Sequence, residues 1–151
     1  MIIEVFSKNR IVQGLSDKKI KKLFNAGSVV HLSTNKVIVS KGQNLDSFYI
    51  MLTGKVQVFL PISLERPAQI DLTTKSSYDC FGEYSFIDQQ PASASVKASE
   101  DSAVFVITHD AFQKFLDNHK KAGYIICKNL LTVLVDRLRA DNAELDLFNL
   151  Q

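Results

Sequence analysis

The spacing of apolar residues changes twice along the chain and divides it into three stretches. In the first, Ser16 is placed to cap a short amphipathic helix that continues through Phe24 and stops at Gly27. From residue 29 to 108, short runs of β-branched and aromatic residues are separated by turn residues, which is typical of strands. These runs are 29–32, 37–39, 48–52, 56–60, 70–73 and 103–107. Strands repeated at such short intervals predict a sandwich, a barrel or a roll.

After Thr108 the spacing becomes helical again and stays so to Phe148. Apolar residues there alternate intervals of three and four, the pattern of a seam between two helices. The seam positions are Tyr124, Cys127, Leu131, Leu134, Leu138, Asp141, Leu145 and Phe148, with Asp141 as the polar exception. A second apolar strip contains Ile125, Val133 and Val135. Since two strips suit two partners, we predict a parallel homodimer through Leu131, Leu134, Leu138 and Leu145, and packing on the helix's own domain alone is the alternative.

Composition indicates one ordered domain over residues 1–151. The 151 residues are 46% hydrophobic and 23% charged, as in ordinary globular proteins, and no repeat or linker interrupts them. We expect an N-terminal helical part at 1–28, a β region at 29–108 and C-terminal helices at 109–151.

Charge and cysteine content exclude several classes of function. The formal net charge of +2 is too small for a nucleic-acid-binding surface, and four lysines between residues 18 and 22 are interpreted as the solvated face of the first helix. No signal peptide and no run of membrane-spanning length is present, so we expect no membrane association. Cys80 and Cys127 are too few for a disulfide framework, so reduced cysteines and a cytoplasmic location are expected.

Three blocks of the β region contain the candidate chemistry. In the first, Gly42 and Gly54 frame a strand, and Gly54 predicts a tight hairpin before Val56. In the second, Phe81-Gly82-Glu83 bends the chain into a helical turn whose free amides suit an anion. The third is the small-residue loop at 91–96, where backbone amides can approach a ligand closely. Together the blocks predict a phosphate site.

At these positions the chain resembles the cyclic-nucleotide-binding domain family, which includes catabolite-activator transcription factors, kinase regulatory subunits and nucleotide-gated channels. The matching residues are Gly42, Asp46, Tyr49, Ile50, Gly54, Val56, Phe81, Gly82, Glu83, Pro91 to Val96, Ala98, Glu100, Val104, Phe112, Leu138 and Arg139. The resemblance implies a mainly β protein with flanking helices. Its centre would be a jelly-roll-like β-roll with a phosphate-binding cassette at 81–96, followed by a long C-terminal helix.

The resemblance also implies roles for cassette residues. Glu83 would accept a hydrogen bond from a ribose 2′-hydroxyl, a charge-assisted contact. The amides of Gly82, Glu83 and Ser93 would contact the cyclic phosphate of cAMP or cGMP. Phe81, Ala92 and Ser95 complete the predicted site.

Two residues depart from the family pattern. Members that bind cyclic nucleotides have an arginine after the loop proline, where this chain has Ala92. Loss of one partner of a buried charge pair costs about 2–5 kcal/mol, roughly 30- to 4,000-fold in affinity. Ser93 and Ser95 bring no charge, and spacing does not decide which way Lys97 points. Tyr78 replaces a common glycine and would either narrow or cap the pocket.

These observations favour a non-enzymatic sensory domain over an enzyme. His31, His109 and His119 are scattered, and no nucleophile or phosphate-loop motif occurs, so neither a metal nor a cofactor is expected. We expect weak binding of cAMP, cGMP or a related ligand and signalling through the C-terminal helix. The alternative is a degenerate dimerisation and protein-interaction domain. If Gln151 is the natural end, no DNA-reading helix-turn-helix follows and no direct nucleic-acid binding is expected.

Overall fold

The computed structural model describes residues 1–149, which form eight strands, five α-helices and one 3₁₀ turn. In chain order these are α1 (Ile2–Phe6), the 3₁₀ turn (Arg10–Val12), α2 (Asp17–Ala26), β1 (Ser28–Leu32), β2 (Val37–Val39), β3 (Ser47–Thr53), β4 (Val56–Leu60), β5 (Ile70–Lys75), β6 (Cys80–Phe81), α3 (Glu83–Asp88), β7 (Ser95–Ala98), β8 (Ser102–Thr108), α4 (His109–Asn118) and α5 (Lys120–Asn149). The predicted order of helices, β-roll and long C-terminal helix is confirmed.

The strands form two four-stranded sheets. One sheet has the order β1-β8-β3-β6 and the other β2-β7-β4-β5, and every described pairing is antiparallel. The chain passes repeatedly from one sheet to the other, as in the predicted jelly-roll-like fold. We call the sheet β1-β8-β3-β6 the helix-side sheet and the sheet β2-β7-β4-β5 the cassette-side sheet.

The hairpin predicted at Gly54 is wrong. The two strands that flank Gly54, β3 and β4, belong to different sheets and do not pair. Gly54 has a φ of +85°, which glycine adopts without strain. The next amide, of Lys55, donates a hydrogen bond of 3.1 Å to the Ser102 hydroxyl. The glycine therefore turns the chain from one sheet into the other.

The strand β3 is buried on both faces, which explains its continuous apolar run. Phe48, Ile50 and Leu52 point into a core shared with the helices. The intervening Tyr49 and Met51 point into a second core between the two sheets. Side chains alternate between the faces of a strand, so a strand with two buried faces needs apolar residues at every position.

Several short elements were not predicted. Neither α1 nor the 3₁₀ turn has a long apolar period; the 3₁₀ turn is capped by buried Asn9, which accepts a 2.9 Å hydrogen bond from the Ile11 amide. The strand β6 has two residues, and β7 is rich in serine and alanine. The predicted Ser16 cap is confirmed, because its hydroxyl accepts from the Lys19 amide at 3.3 Å.

The helix α5 packs one strip on the domain and leaves another exposed. Its buried strip is Ala122, Ile126, Leu130 and Val133, so of the second apolar strip in the sequence only Val133 is buried. The Asn129 amide fixes this side by donating to the Ile11 and Gln13 carbonyls at 2.9 and 2.8 Å. Over residues 1–149, no helix combines the length and apolar character needed to cross a membrane.

Candidate ligand site

A cavity of about 700 Å³ lies between the cassette-side sheet, α3, the loop at 89–94 and α5. Its volume is in the range of small-molecule sites. Most of its walls are apolar, from Val39, Leu45, Val58, Leu72, Phe81, Pro91, Ala92, Ala94 and Val96. The polar residues of the lining include Thr73, Lys75, Glu83, Ser85, Asp88, Ser93, Arg137 and Asp141. Of the predicted site residues, Phe81, Gly82, Glu83, Ala92 and Ser93 all line this cavity.

Gly82 determines how the chain enters α3. It has a φ of +82° and is the N-cap of the helix. A Cβ at this position would lie 3.0 Å from both the Ser47 carbonyl oxygen and the Tyr49 ring. That ring stacks on Phe81 with 4.8 Å between centroids. Both the conformation and the space therefore require glycine, and the turn directs Glu83 inward.

Glu83 is 3% exposed, so it is not an ordinary surface carboxylate. Arg137, 54 residues later on α5, donates a hydrogen bond to its Oε1 and forms an ion pair with it. The same guanidinium donates to the Cys80 carbonyl at 3.0 Å. Burial alone lowers the pKa of Arg137, but the Glu83 carboxylate and Cys80 outweigh it and raise that pKa further. The buried carboxylate thus has a permanent counter-charge on α5.

The first and third blocks of the sequence meet beside the cavity. The Gly42 amide donates to the Ala92 carbonyl at 2.8 Å, and the Ala92 amide donates to the Gln43 carbonyl at 2.9 Å. Ala92 itself packs against the core between the sheets. The predicted site residue Ser95 is buried outside the cavity lining, and its hydroxyl accepts from the Lys41 amide at 2.9 Å. Ser95 therefore holds the loop in place.

Other block residues position the scaffold. The Asp46 carbonyl accepts a 2.7 Å hydrogen bond from the first amide of α4, that of His109. Burial raises the pKa of Tyr49, whose ring lies under the cassette. These residues support the site and do not line the cavity.

Sequence reasoning missed two cations in the cavity wall, Arg137 and Lys75. Arg137 continues the buried strip of α5, four residues after Val133. A charged residue at a position that continues a buried apolar strip could have been recognised from the spacing of the sequence as a candidate inward-facing charge. Lys75 ends the edge strand β5, and nothing in its local sequence marks it.

Burial and nearby charged groups shift the pKa values of Lys75 and Cys80. Burial lowers the pKa of Lys75, as does Arg137, whereas Glu83, Asp79 and Cys80 act in the opposite direction. Burial raises the pKa of the Cys80 thiol to about 12, with Glu83 adding to the effect. Cys80 is therefore a structural thiol. No group of three or more metal-ligating side chains occurs within residues 1–149.

Tyr78 and Lys97, whose directions the sequence left open, do not line the cassette cavity. Tyr78 has a φ of +79°, the conformation that favours glycine, and it lines an adjoining cavity of about 330 Å³ with Arg10 and Asp136. Lys75 and Arg137 line both cavities. Tyr78 neither narrows nor caps the cassette cavity. Lys97 places its ammonium 4.9 Å from the Phe59 ring centroid and is absent from the lining.

The family model described as "Cyclic nucleotide-binding domain" matches residues 29–119. The chain belongs to the cyclic nucleotide-binding domain family. The match spans the β-roll from the second residue of β1 onward and all of α4, and it contains the cassette. Members of this family are regulatory binding domains.

Two curated relatives cover most of the chain. It is 27% identical over 137 residues to glutaminase 1 of Bradyrhizobium diazoefficiens, which covers 91% of this chain and 21% of the relative. It is 30% identical over 117 residues to the cAMP-dependent protein kinase regulatory subunit of Candida albicans, covering 77% of this chain and 24% of the relative. The chain thus spans about a quarter or less of these relatives.

Solved structures share the fold. A cyclic nucleotide-binding domain from Methylobacillus flagellatus has a TM-score of 0.82 at 25% identity and covers 95% of this chain and 79% of its own. The catabolite activator protein of Thermus thermophilus has a TM-score of 0.79 at 23% identity, covering 93% of this chain and 63% of its own. The β-roll with a long C-terminal helix is therefore the family architecture.

Proposed function

We propose that this chain is a sensory domain that binds a small ligand in the cassette cavity and transmits its occupancy through α5. Cyclic nucleotides would bind weakly. The observation that carries the proposal is the ion pair between Glu83 and Arg137. The family resemblance assigns ribose binding to Glu83. This carboxylate is paired with a residue of α5, the helix that would carry the signal.

This contact supplies a physical route from ligand to helix. A ligand hydroxyl that donates to Glu83 shares the carboxylate with Arg137, so binding changes the strength of the contact with α5. A ligand shifts a conformational equilibrium only by its difference in affinity for the two states. Here the difference in ligand affinity would come from the position of Arg137, because the two states of α5 would place its guanidinium differently relative to Glu83 and the ligand.

Weak binding of cyclic nucleotides follows from Ala92. The side chain that would be an arginine packs instead against the core between the sheets. Ser93 remains on the cavity lining, and it offers an amide and a hydroxyl but no charge. We therefore expect cAMP and cGMP to bind about 30-fold or more below members that retain the arginine.

Calorimetric titration with cAMP and cGMP tests this proposal. The parent should bind at least one of them weakly, and Glu83→Gln should reduce the binding further. The matched control is Glu100→Gln, which changes an exposed carboxylate. Absence of binding by the parent at millimolar nucleotide, or equal binding by Glu83→Gln, would contradict the ribose role of Glu83.

We further propose that α5 pairs in parallel with α5 of a second copy. Leu131, Leu138 and Leu145 are each about 60% exposed on one face of the helix. Large apolar side chains aligned along an exposed face mark an interaction surface. Leu134 is half-buried against the domain's own core, so it belongs to both faces.

Cys127 provides a direct test of this pairing. It is a seam residue with an exposed side chain, and parallel, in-register helices bring the two Cys127 thiols together. Mild oxidation should therefore give a disulfide-linked dimer of the parent and none of Cys127→Ser. A chain that stays monomeric at tens of micromolar, or a parent that forms no cross-link, would exclude the parallel seam.

A degenerate interaction domain is the second candidate function. The observation that favours it is again Glu83, whose buried charge is already balanced by Arg137. In that case the roll and α5 would serve dimerisation and protein contact without a ligand. The nucleotide titration separates the two functions. A cytoplasmic location with reduced cysteines remains a prediction under either.

A further inference from the structure

The positive charge of the cassette cavity lies on a different wall from the one that the family pattern indicates. The loop wall at Ala92 is apolar and packs against the core between the sheets. The cations Lys75 and Arg137 stand on the wall that β5 and α5 form. A ligand whose charge sits beside the loop therefore meets polar groups such as those of Ser93, but no cation of the loop.

The two cations differ in how they are balanced. Arg137 is paired with Glu83 and donates to the Cys80 carbonyl. Lys75 takes part in no ion pair within the described part of the chain. Its ammonium is partly buried, and burial lowers its pKa, which is the effect of removing a charge from water without a full replacement.

Other carboxylates lie near the cavity, but within residues 1–149 none of them forms an ion pair with Lys75. Asp88 accepts the Gln90 amide at 2.9 Å, and Asp79 accepts the Ser76 amide at 3.0 Å. Asp141 lines the cavity from the exposed end of α5. The cavity lining thus contains two cations, Lys75 and Arg137, and three carboxylates, those of Glu83, Asp88 and Asp141, and of the two cations only Arg137 is in an ion pair within the described residues.

The rest of the lining is suited to hydrocarbon. Leu72 lies on the same strand as Lys75, and the walls between this strand and the loop are built from Val39, Leu45, Val58, Pro91, Ala92, Ala94 and Val96. An apolar body in contact with these residues gains from being removed from water.

We propose that the cavity selects an apolar monoanion, a carboxylic acid with a hydrocarbon or aromatic body, whose carboxylate pairs with Lys75. The inference rests on the proposed sensory function and names its ligand class. The charge-assisted hydrogen bond from the Lys75 ammonium orients the acid, and the apolar body extends toward Ala92. A cyclic nucleotide fits less well, because its phosphate would lie beside the loop at 89–94, which contains no cation.

Calorimetry with octanoate, phenylacetate and neutral phenylacetamide tests the proposal, with cAMP titrated in parallel. The parent should bind at least one carboxylate, and phenylacetamide at least 10-fold more weakly than phenylacetate or not at all. Lys75→Met should weaken carboxylate binding at least 10-fold, whereas Lys75→Arg should retain most of it. Lys36→Met is the matched control, because Lys36 is exposed and absent from the lining. Thermal melts check that each variant folds.

Several outcomes would overturn this ligand class. One is unchanged carboxylate binding by Lys75→Met, and another is equal binding of phenylacetate and its amide. If the parent binds cAMP but neither carboxylate, the ligand class is wrong while the sensory function stands. If it binds none of the probes, both fail. The comparison of acid with amide uses the parent alone, so it holds even if a Lys75 variant fails to fold.

Discussion

Replacing Arg137 with methionine should destabilise the domain substantially. The change removes the guanidinium but keeps a long apolar side chain, and it leaves Glu83, 3% exposed, without a counter-charge. Breaking a buried pair by removing one partner costs about 3–5 kcal/mol. The Arg137 side chain is 22% exposed, so water screens part of the effect and we expect about 3 kcal/mol. For a domain of this size, that lowers Tm by about 6–12 °C.

Urea unfolding of a double-mutant cycle measures this contact. Glu83→Gln and the double variant Glu83→Gln, Arg137→Met complete the cycle. Once the carboxylate is gone, loss of the guanidinium leaves no buried charge, so the double variant should be at least 1 kcal/mol more stable than the sum of the single losses predicts. Arg139→Met, which changes an exposed arginine on the same helix, should alter stability by less than about 0.5 kcal/mol.

The cycle can also refute the reasoning. If Arg137→Met unfolds within 0.5 kcal/mol of the parent, the ion pair does not stabilise the position of α5. If the two changes add without coupling, Glu83 and Arg137 act independently. Either result would remove the route from cassette to helix on which the sensory proposal depends.

Four further predictions concern other parts of the molecule. Gly82→Val should lower both Tm and ligand binding, because φ is +82° and a Cβ would crowd a backbone carbonyl at 3.0 Å; a parental Tm would contradict the cassette geometry. Ala92→Arg should raise cyclic-nucleotide affinity about 30-fold, on the order of 2 kcal/mol, and Glu83→Ala should remove much of the gain; calorimetry would show no change if the loop cannot accept the arginine. Cys80, with a pKa of about 12, should resist alkylation at pH 8 until urea unfolds the chain, and rapid native labelling would show that it is accessible. Leu138→Glu should give monomers in sedimentation, and an unchanged sedimentation coefficient would exclude the α5 seam.

Features that depend on neighbours in the sequence were predicted well. The switch from helical to strand spacing located most strands, and Ser16 identified the start of α2. Apolar runs, caps and glycine turns express local preferences of the backbone, so they can be recognised within a few residues. The block order, confirmed by the family match over 29–119, led to the fold and to the cavity-lining residues of the cassette.

Tertiary structure alone decided the features that depend on distant partners. A glycine turn at Gly54 is compatible with both a hairpin and a change of sheet, and the choice depends on which strand each neighbour meets. The Ser95 hydroxyl caps the Lys41 amide and is absent from the cavity lining, a direction that requires the three-dimensional course of the loop. Local spacing contains no information about such pairings.

The same reason explains why the charges of the site were missed. Glu83 and Arg137 are 54 residues apart, and only the packing of α5 on the domain brings them together. Lys75 lines the same cavity from β5, the edge strand of the cassette-side sheet. The sequence located the candidate ligand site at the cassette, whereas the position of its charge was set by contacts between elements that are remote along the chain.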